Sequence, residues 1–359
     1  MTAERHIGIS FGQIRSWHDG LGEFSLQLGQ RLAQEASAWQ SQHGVQFHFH
    51  LPKVWHGHFG PQVNYLATCD LQRWVHWQPR SFALWHSLQQ FNPFKAPIGT
   101  QVRLQTVHDA NFLYLKKGGK QLRYTRRLQR LMAKATEVIT ISQYVRADLQ
   151  EKVGYRGPIK VIYNGVRDLT AEPREPVSGL AQQAYLLHIS RLAPSKNVGA
   201  LLNLAAHWPE KVFVLAGGSS PYSREVAQEI AQRRLSNVHL FLDISDAQKT
   251  WLYANCEAFL FPSQAEGFGL PPIEAMHFGK PVFLSRFTSL PEVGGAWANY
   301  WDDLSPPSMR LTLEQQLPLH STQRAQSITA HARSFNWADC ASAYLDCYQG
   351  ALNLKGTSR

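Results

Sequence analysis

Ten short apolar runs organise this chain of 359 residues, and they fall into two series of five. The first series is His6–Phe11, Val45–Leu51, Arg103–Val107, Glu137–Ile141 and Lys160–Tyr163. The second is Tyr185–Ile189, Val212–Ala216, Val238–Phe241, Ala258–Phe261 and Pro281–Leu284. Helical spacings recur between them: Phe24, Leu28 and Leu32 after a start near Gly22, then Val198–His207, Arg224–Arg233 and Asp246–Asn255. Strand-length runs alternating with helical patterns predict βαβ units and mainly parallel sheets, an α/β chain. The polar, proline-bearing stretch Val166–Gln182 parts the two series and reads as the linker. The boundaries that follow are a first domain at 1–168, a linker at 169–183, a second domain at 184–336 and a closing helical segment at 337–359. In that segment Tyr344, Leu345 and Tyr348 share one face of the stretch Trp337–Leu352.

Composition narrows the class. Hydrophobic residues make up 44% of the chain, enough for two packed cores. No run of about 18 apolar residues exists to cross a bilayer. The opening MTAERHIGIS lacks the basic-then-apolar form of a signal segment. Cys69, Cys256, Cys340 and Cys347 show no C-x-x-C spacing, so reduced thiols in a cytoplasmic protein are expected. The net charge of +10 favours an anionic partner. Part of it is concentrated in Lys116–Lys134, which carries eight Lys or Arg and no acid. There Leu122, Leu128, Leu131, Met132 and Ala135 recur at roughly helical spacing, so an amphipathic helix with a basic face is expected. Such a helix is either a solvated surface element or a contact for an anionic membrane.

The densest chemistry lies in FPSQAEGFGLPPIEAMHFGKP, from Phe261 to Pro281. A strand leads into a loop containing Gly267, Phe268, Gly269 and Leu270, and Pro271 and Pro272 then open a helix. Glycines let backbone N–H groups approach a ligand, and the helix start adds partial positive charge. Glu266 falls in the loop and Glu274 is expected in the first helical turn. The set suits a ligand with a phosphate and sugar hydroxyls. Glycines before a helix also make plain turns, and a Glu near a helix start complements the dipole whatever its function. In HISRLAPSKN, Arg191 and Lys196 lie in a loop between a strand and a helix, as a pair of surface cations or as a clamp on a diphosphate.

The string E-G-F-G-L-P-P-x-E-A-M, with R-x-x-x-x-K upstream, resembles the signature of retaining family 4 glycosyltransferases, also called glycosyl transferases group 1. Bacterial lipopolysaccharide and O-antigen hexosyl- and mannosyltransferases are of this kind. The resemblance implies the GT-B fold: two Rossmann-like doubly wound domains facing a cleft, the second holding a nucleotide-sugar donor and the first an acceptor. It implies that Arg191 and Lys196 stabilise the leaving nucleoside diphosphate, that Glu274 accepts from ribose hydroxyls, and that Glu266 with the Gly267–Leu270 backbone holds the donor sugar and phosphate. His108, just after a strand and followed by Asp109, matches a histidine that approaches the sugar. Gly20 and Gly22, after Trp17-His18-Asp19, resemble the family's first glycine loop. Gly217 and Gly218 resemble the loop beside the nucleotide base. The chain end is implied to cross back to the first domain.

Several motifs read as structure first. Ser142 would cap a helix and Asn164-Gly165 would turn the chain. Glu292 matches the segment after the next strand and reads as structural. His48 and His50 alternate with Val45, Phe47, Phe49 and Leu51, which gives a strand with one histidine face; His56 and His58 complete no ligand set for a metal. Two positions depart from the family pattern: Asp243 stands where a glycine is common, and Arg167 where an acid is common.

The expected activity is hexosyl transfer, of mannose, glucose or galactose type, from a nucleotide-diphosphate sugar to a hydroxyl of a cell-surface glycan, either lipopolysaccharide core or a lipid-linked oligosaccharide. No D-x-D motif occurs, so no metal and no other cofactor is expected. The expected location is the inner face of the cytoplasmic membrane, with Lys116–Lys134 against its anionic surface. An epimerase or phosphorylase of the same fold is the alternative enzyme. A nucleic-acid-binding protein is suggested only by the charge, and no recognition motif accompanies it.

Overall fold

The computed structural model describes residues 4–14, 17, 20–180 and 183–353; His18 and Asp19 lie outside them. The chain divides into two compact units, Met1–Gly165 with Asn336–Arg359, and Val166–Phe335. Each is built on one parallel sheet, and together they have the GT-B fold.

The first unit contains β1 (Arg5–Ser10), β2 (Val45–Leu51), β3 (Asn64–Ala67), β4 (Leu84–Ser87), β5 (Val102–Val107), β6 (Glu137–Thr140) and β7 (Ile159–Val161), in the order β3-β2-β1-β4-β5-β6-β7. Alternation decides its layers. Ile7, Ile9, Phe47 and Phe49 join the core that the helices Gly20–His43 and Trp337–Ala351 complete. His48 and His50 face the other way, as the alternation requires. His48 Nε2 lies 3.0 Å from His6 Nδ1. The His50 ring is held by Ser10 Oγ and Gln72 Oε1, each at 2.9 Å. The closing helix is fixed to the sheet by polar contacts too: His86 Nδ1 is 2.7 Å from Tyr348 Oη, and His86 Nε2 is 2.8 Å from Thr106 Oγ1. Tyr344 and Tyr348 are fully buried there.

The second unit contains β8 (Tyr185–Ile189), β9 (Val212–Gly217), β10 (Val238–Leu242), β11 (Ala258–Phe261), β12 (Val282–Ser285) and β13 (Asn299–Trp301), in the order β10-β9-β8-β11-β12-β13. Leu201, Leu204 and Ala205 of the helix Val198–His207 pack with Phe213, Leu215, Met309 and Leu313 on one face of this sheet. Residues 166–180 cluster with this unit rather than standing apart. Val177 and Leu180 are buried, and the Glu175 amide donates to the Ala247 carbonyl at 3.1 Å, so two apolar anchors hold the otherwise polar stretch.

All ten apolar runs coincide with strands. β3, β4 and β13 were not expected; at three or four residues each they are too short for a period of two to register. The basic helix forms as Gly118–Met132, with Leu128 and Met132 buried. Leu122, expected on the same face, is 48% exposed, because the buried face covers only the last half of that helix.

Candidate active site

In a doubly wound sheet, ligands bind beyond the carboxyl ends of the strands where the order reverses. In the second unit that point lies between β8 and β11. The loops leaving β8, β11 and β12 are laced together there. The Gln264 amide donates to the Ser195 carbonyl at 2.8 Å. Ser263 Oγ lies 3.0 Å from the same carbonyl and 2.6 Å from Glu266 Oε1. The Glu266 amide donates to Thr288 Oγ1 at 2.9 Å, and Ser289 Oγ donates to the Phe268 carbonyl at 2.8 Å. These hydroxyls fix the glycine loop before any ligand arrives, which is the preorganisation an electrostatic site needs.

Lys196 ends the turn Pro194–Lys196, and Asn197 in the left-handed region (φ +55°) redirects the chain into the helix Val198–His207. The turn brings Lys196 Nζ 2.5 Å from Glu266 Oε1 and 5.5 Å from the centre of the Phe261 ring. The pair is 15% and 11% exposed, so it is largely shielded from water. Arg191, at the start of the same loop, is exposed. A cation and a carboxylate thus meet beside the glycine loop at the switch point.

The helix Leu270–His277 begins directly after the loop. Gly269 holds φ +114°, and a Cβ there would meet Leu290 Cδ2 at 3.0 Å. Gly269→Ala is therefore expected to cost about 1–3 kcal/mol through backbone strain. A lower melting temperature together with weaker nucleoside-diphosphate binding checks this. Glu274 is not in the first turn as expected; no acid is there. Pro271 and Pro272 occupy that turn, where a missing N–H is harmless, and Glu274 falls one turn later. Its carboxylate accepts from Tyr253 Oη at 2.8 Å and Lys249 Nζ at 3.3 Å, both from the helix Asp246–Asn255. Burial works against the Lys249 charge, yet Glu274 and Asp246 together hold its pKa above the ordinary value. Burial, reinforced by Glu274, pushes the Tyr253 hydroxyl well up, so it stays a donor.

At the end of β9, Gly217 admits the neighbouring loop: a Cβ would lie 2.2 Å from the Ser190 carbonyl. Asp243 stands in the left-handed region at φ +55°, which explains the preference for glycine at such a position. Its carboxylate replaces that freedom with bonds, accepting from the Ser219 amide at 2.8 Å and from the Ser219 hydroxyl. These bonds hold its pKa below the carboxylate range.

The remaining expected site residues belong to the first unit. Gly20 and Gly22 form the first turn of the helix Gly20–His43, Gly20 exposed and Gly22 buried. His108 follows β5 and is buried, its Nε2 2.6 Å from the Leu88 carbonyl and its ring edge-on to Phe24. Burial lowers its pKa to about 4, against the opposing pull of that carbonyl, so at neutral pH it is an uncharged ring. Ser142 caps the helix Gln143–Glu151 through the Val145 amide, as expected. Among the described residues, no three or more His, Cys, Asp or Glu are grouped to hold a metal ion. Lys249, Tyr253, Ser263 and Ser289 were not singled out from the sequence: Lys249, Tyr253 and Ser289 act on partners more than twenty positions away, and no spacing announces such a pairing.

Known proteins resemble this chain in sequence and in fold. Residues 71–168 match the family model described as Glycosyltransferase Family 4, and residues 173–301 match Glycosyl transferases group 1. O-antigen chain mannosyltransferase B of Escherichia coli is 26% identical over 92% of this chain and 96% of its own. O-antigen chain mannosyltransferase RfbU of Salmonella typhimurium is 28% identical over 58% of this chain and 60% of its own. Among solved structures, sucrose-phosphate synthase from Thermosynechococcus elongatus superposes with a TM-score of 0.76 at 17% identity, over 98% of this chain and 100% of that one. Anabaena Alr3699/HepE in complex with UDP-glucose gives 0.71 at 19% identity, over 96% and 99%.

A paired parallel-sheet architecture with this loop at its switch point defines a glycosyltransferase of the GT-B fold. The chain belongs, within that class, to the group 1, or family 4, glycosyltransferases.

Proposed function

We propose that this enzyme transfers a mannosyl unit from a nucleotide-diphosphate sugar to a hydroxyl of a growing bacterial cell-surface glycan of the O-antigen type, with retention of anomeric configuration. The names of the relatives favour mannose and O-antigen over other hexoses and lipopolysaccharide core. The observation that carries the chemistry is the Lys196–Glu266 pair at the switch point of the second sheet.

Breaking a sugar–phosphate bond leaves added negative charge on the diphosphate. Lys196 and Arg191, with the loop amides and the start of the helix Leu270–His277, supply fixed positive groups for that charge. An arriving diphosphate competes with Glu266 for Lys196, which frees the Glu266 carboxylate to accept from sugar hydroxyls. Glu274, already oriented by Tyr253 and Lys249, accepts from the ribose hydroxyls. No side chain is assigned as a base; the departing phosphate takes the acceptor proton. On this reading the reaction needs no metal or other cofactor, and the enzyme works at the inner face of the cytoplasmic membrane with Lys116–Lys134 against anionic lipid.

The test pairs two assays. In a thermal-shift panel of UDP, GDP and ADP, one nucleotide is expected to raise the melting temperature and to do so equally in chelator. The matching nucleotide mannose, mixed with an O-antigen fragment, is expected to yield a new α-mannoside. Release of a different nucleotide sugar, with no glycoside formed, would favour the epimerase alternative.

A further inference from the structure

The first unit has a feature that glycosyl transfer does not use. A parallel sheet normally has helices over both faces. Here the crossover from β3 to β4 holds only a short turn, Asp70–Arg73, and the crossover from β4 to β5 holds no helix. Loops cover that face instead, and they leave a cavity of about 600 Å³ between segments 73–76 and 92–99, the face of β4 and β5, and the end of the helix Gly118–Met132.

Two properties of this cavity point in one direction. Arg73, Lys95, Arg103, Arg127 and Lys134 line it, and among the described residues no Asp or Glu does. Arg73 pairs with the exposed Asp70, but among the described residues no carboxylate pairs with the other four. Arg127 instead sits 5.0 Å from the centre of the Phe91 ring. Two of the cavity's lining side chains are apolar and open to solvent, Trp74 at 75% exposed and Ile98 at 65%, and Leu71 (67%) and Trp77 (69%) stand within three residues of Trp74 in the chain. That patch is held in shape. The Lys95 amide donates to the Gln72 carbonyl at 3.0 Å, the Ile98 amide to the His76 carbonyl at 2.9 Å, and Lys95 Nζ to the Trp74 carbonyl at 2.6 Å.

Clustered exposed tryptophans and aliphatics on a basic background match one kind of surface, an anionic bilayer. Indole rings settle at the headgroup level, and Lys and Arg meet the phosphates there. We propose that the exposed side chains of Leu71, Trp74, Trp77 and Ile98, at and beside the mouth of the cavity, insert into the interfacial layer of a membrane containing acidic phospholipid, and that the cavity receives a lipid phosphate between Lys95, Arg103 and Arg127. The exposed cations Lys120, Arg123, Arg126 and Arg130 of the adjacent helix add long-range attraction, while the exposed tryptophans supply depth. This rests on the membrane-side part of the function proposed above and names the residues that carry it.

The experiment uses the full chain and vesicles of phosphatidylcholine with or without phosphatidylglycerol, read by co-sedimentation and by quenching of tryptophan fluorescence with lipids brominated on the acyl chain. Wild type is expected to bind only the anionic vesicles at moderate salt and to be quenched. Trp74→Ala with Trp77→Ala should weaken binding at least ten-fold and abolish the quenching. Arg103→Gln with Lys95→Gln should weaken binding without abolishing quenching of the remainder. All variants should keep the wild-type melting temperature and the wild-type turnover of a water-soluble acceptor, which separates a failure here from a failure of the transferase reading. The proposal is overturned if the tryptophan variant binds and is quenched like wild type, or if only Arg123→Gln, Arg126→Gln and Arg130→Gln reduce binding. Tight capture of RNA with no vesicle binding would overturn it as well.

Discussion

Lys196→Ala lowers the turnover number for glycosyl transfer by about two to three orders of magnitude, the typical loss when one preorganised donor to a developing charge is removed. The effect follows from where the lysine sits. Its ammonium is 2.5 Å from Glu266, whose carboxylate also accepts from Ser263 and whose amide is bonded to Thr288. Without it, the incoming diphosphate meets an uncompensated carboxylate that is only 11% exposed. Attraction becomes repulsion, and the repulsion grows as charge builds on the leaving group. The loss therefore falls mainly on kcat, with a smaller change in KM. Lys196→Arg restores only part of the rate, because a planar fork does not reproduce a point charge in that turn. Steady-state kinetics on the two variants check this; a rise in KM with kcat unchanged would mean that Lys196 binds the ground state and the transition state equally.

Acid is expected to destabilise this protein at a pH unusually close to neutral. Five buried histidines carry the effect. Burial holds His48 and His86 at about 3 and His50, His108 and His188 at about 4, against 6.5 in an open chain. Each ring is already used: His86 by Tyr348 and Thr106, His188 by the Leu260 carbonyl and Ser190, each contact at 2.7–2.8 Å. The folded protein keeps all five largely neutral between about pH 5 and 6.5, while the unfolded chain protonates them. The unfolded state therefore binds more protons, so stability is level above pH 6.5 and falls as pH drops below it. Each histidine contributes about 1.4 kcal/mol per pH unit in that window. Several such terms together reach the scale of a whole folding free energy within two pH units. The melting temperature should hold from pH 8 to 7 and fall by about 10 °C or more by pH 5.5. His86→Asn should make that fall shallower even though it lowers the starting value. A melting temperature unchanged at pH 5.5 would contradict the neutral assignment.

The fold was legible because its signals are local. Alternation along Val45–Leu51 assigned a histidine face, and the structure shows the same division. The loop from Glu266 to Leu270 was legible for a similar reason, since glycines, prolines and a following helix each act within a few residues. Glu274 was misplaced because the helix begins at Leu270, one residue before the prolines that were expected to open it, which moves Glu274 beyond the first turn. What could not be read is what arises between elements. Tyr253 and Lys249 orient Glu274 from more than twenty positions away, and nothing in their own neighbourhoods marks them. β4 is four residues long and holds Trp85 and His86, so its place at the centre of the sheet is visible only through its neighbours β1 and β5. The cavity beside Trp74 is harder still, because it follows from helices that two crossovers do not contain.

The most direct measurement is the turnover of wild type and of the Arg191→Ala, Lys196→Ala double variant, each with divalent cations present and after stripping by chelator. Fixed cationic side chains as the acceptors of the departing diphosphate predict a wild-type rate unchanged by chelation and a double variant slower by at least a thousand-fold in both conditions. A wild type silenced by chelation and restored by magnesium, or a double variant that turns over at the wild-type rate, would contradict it.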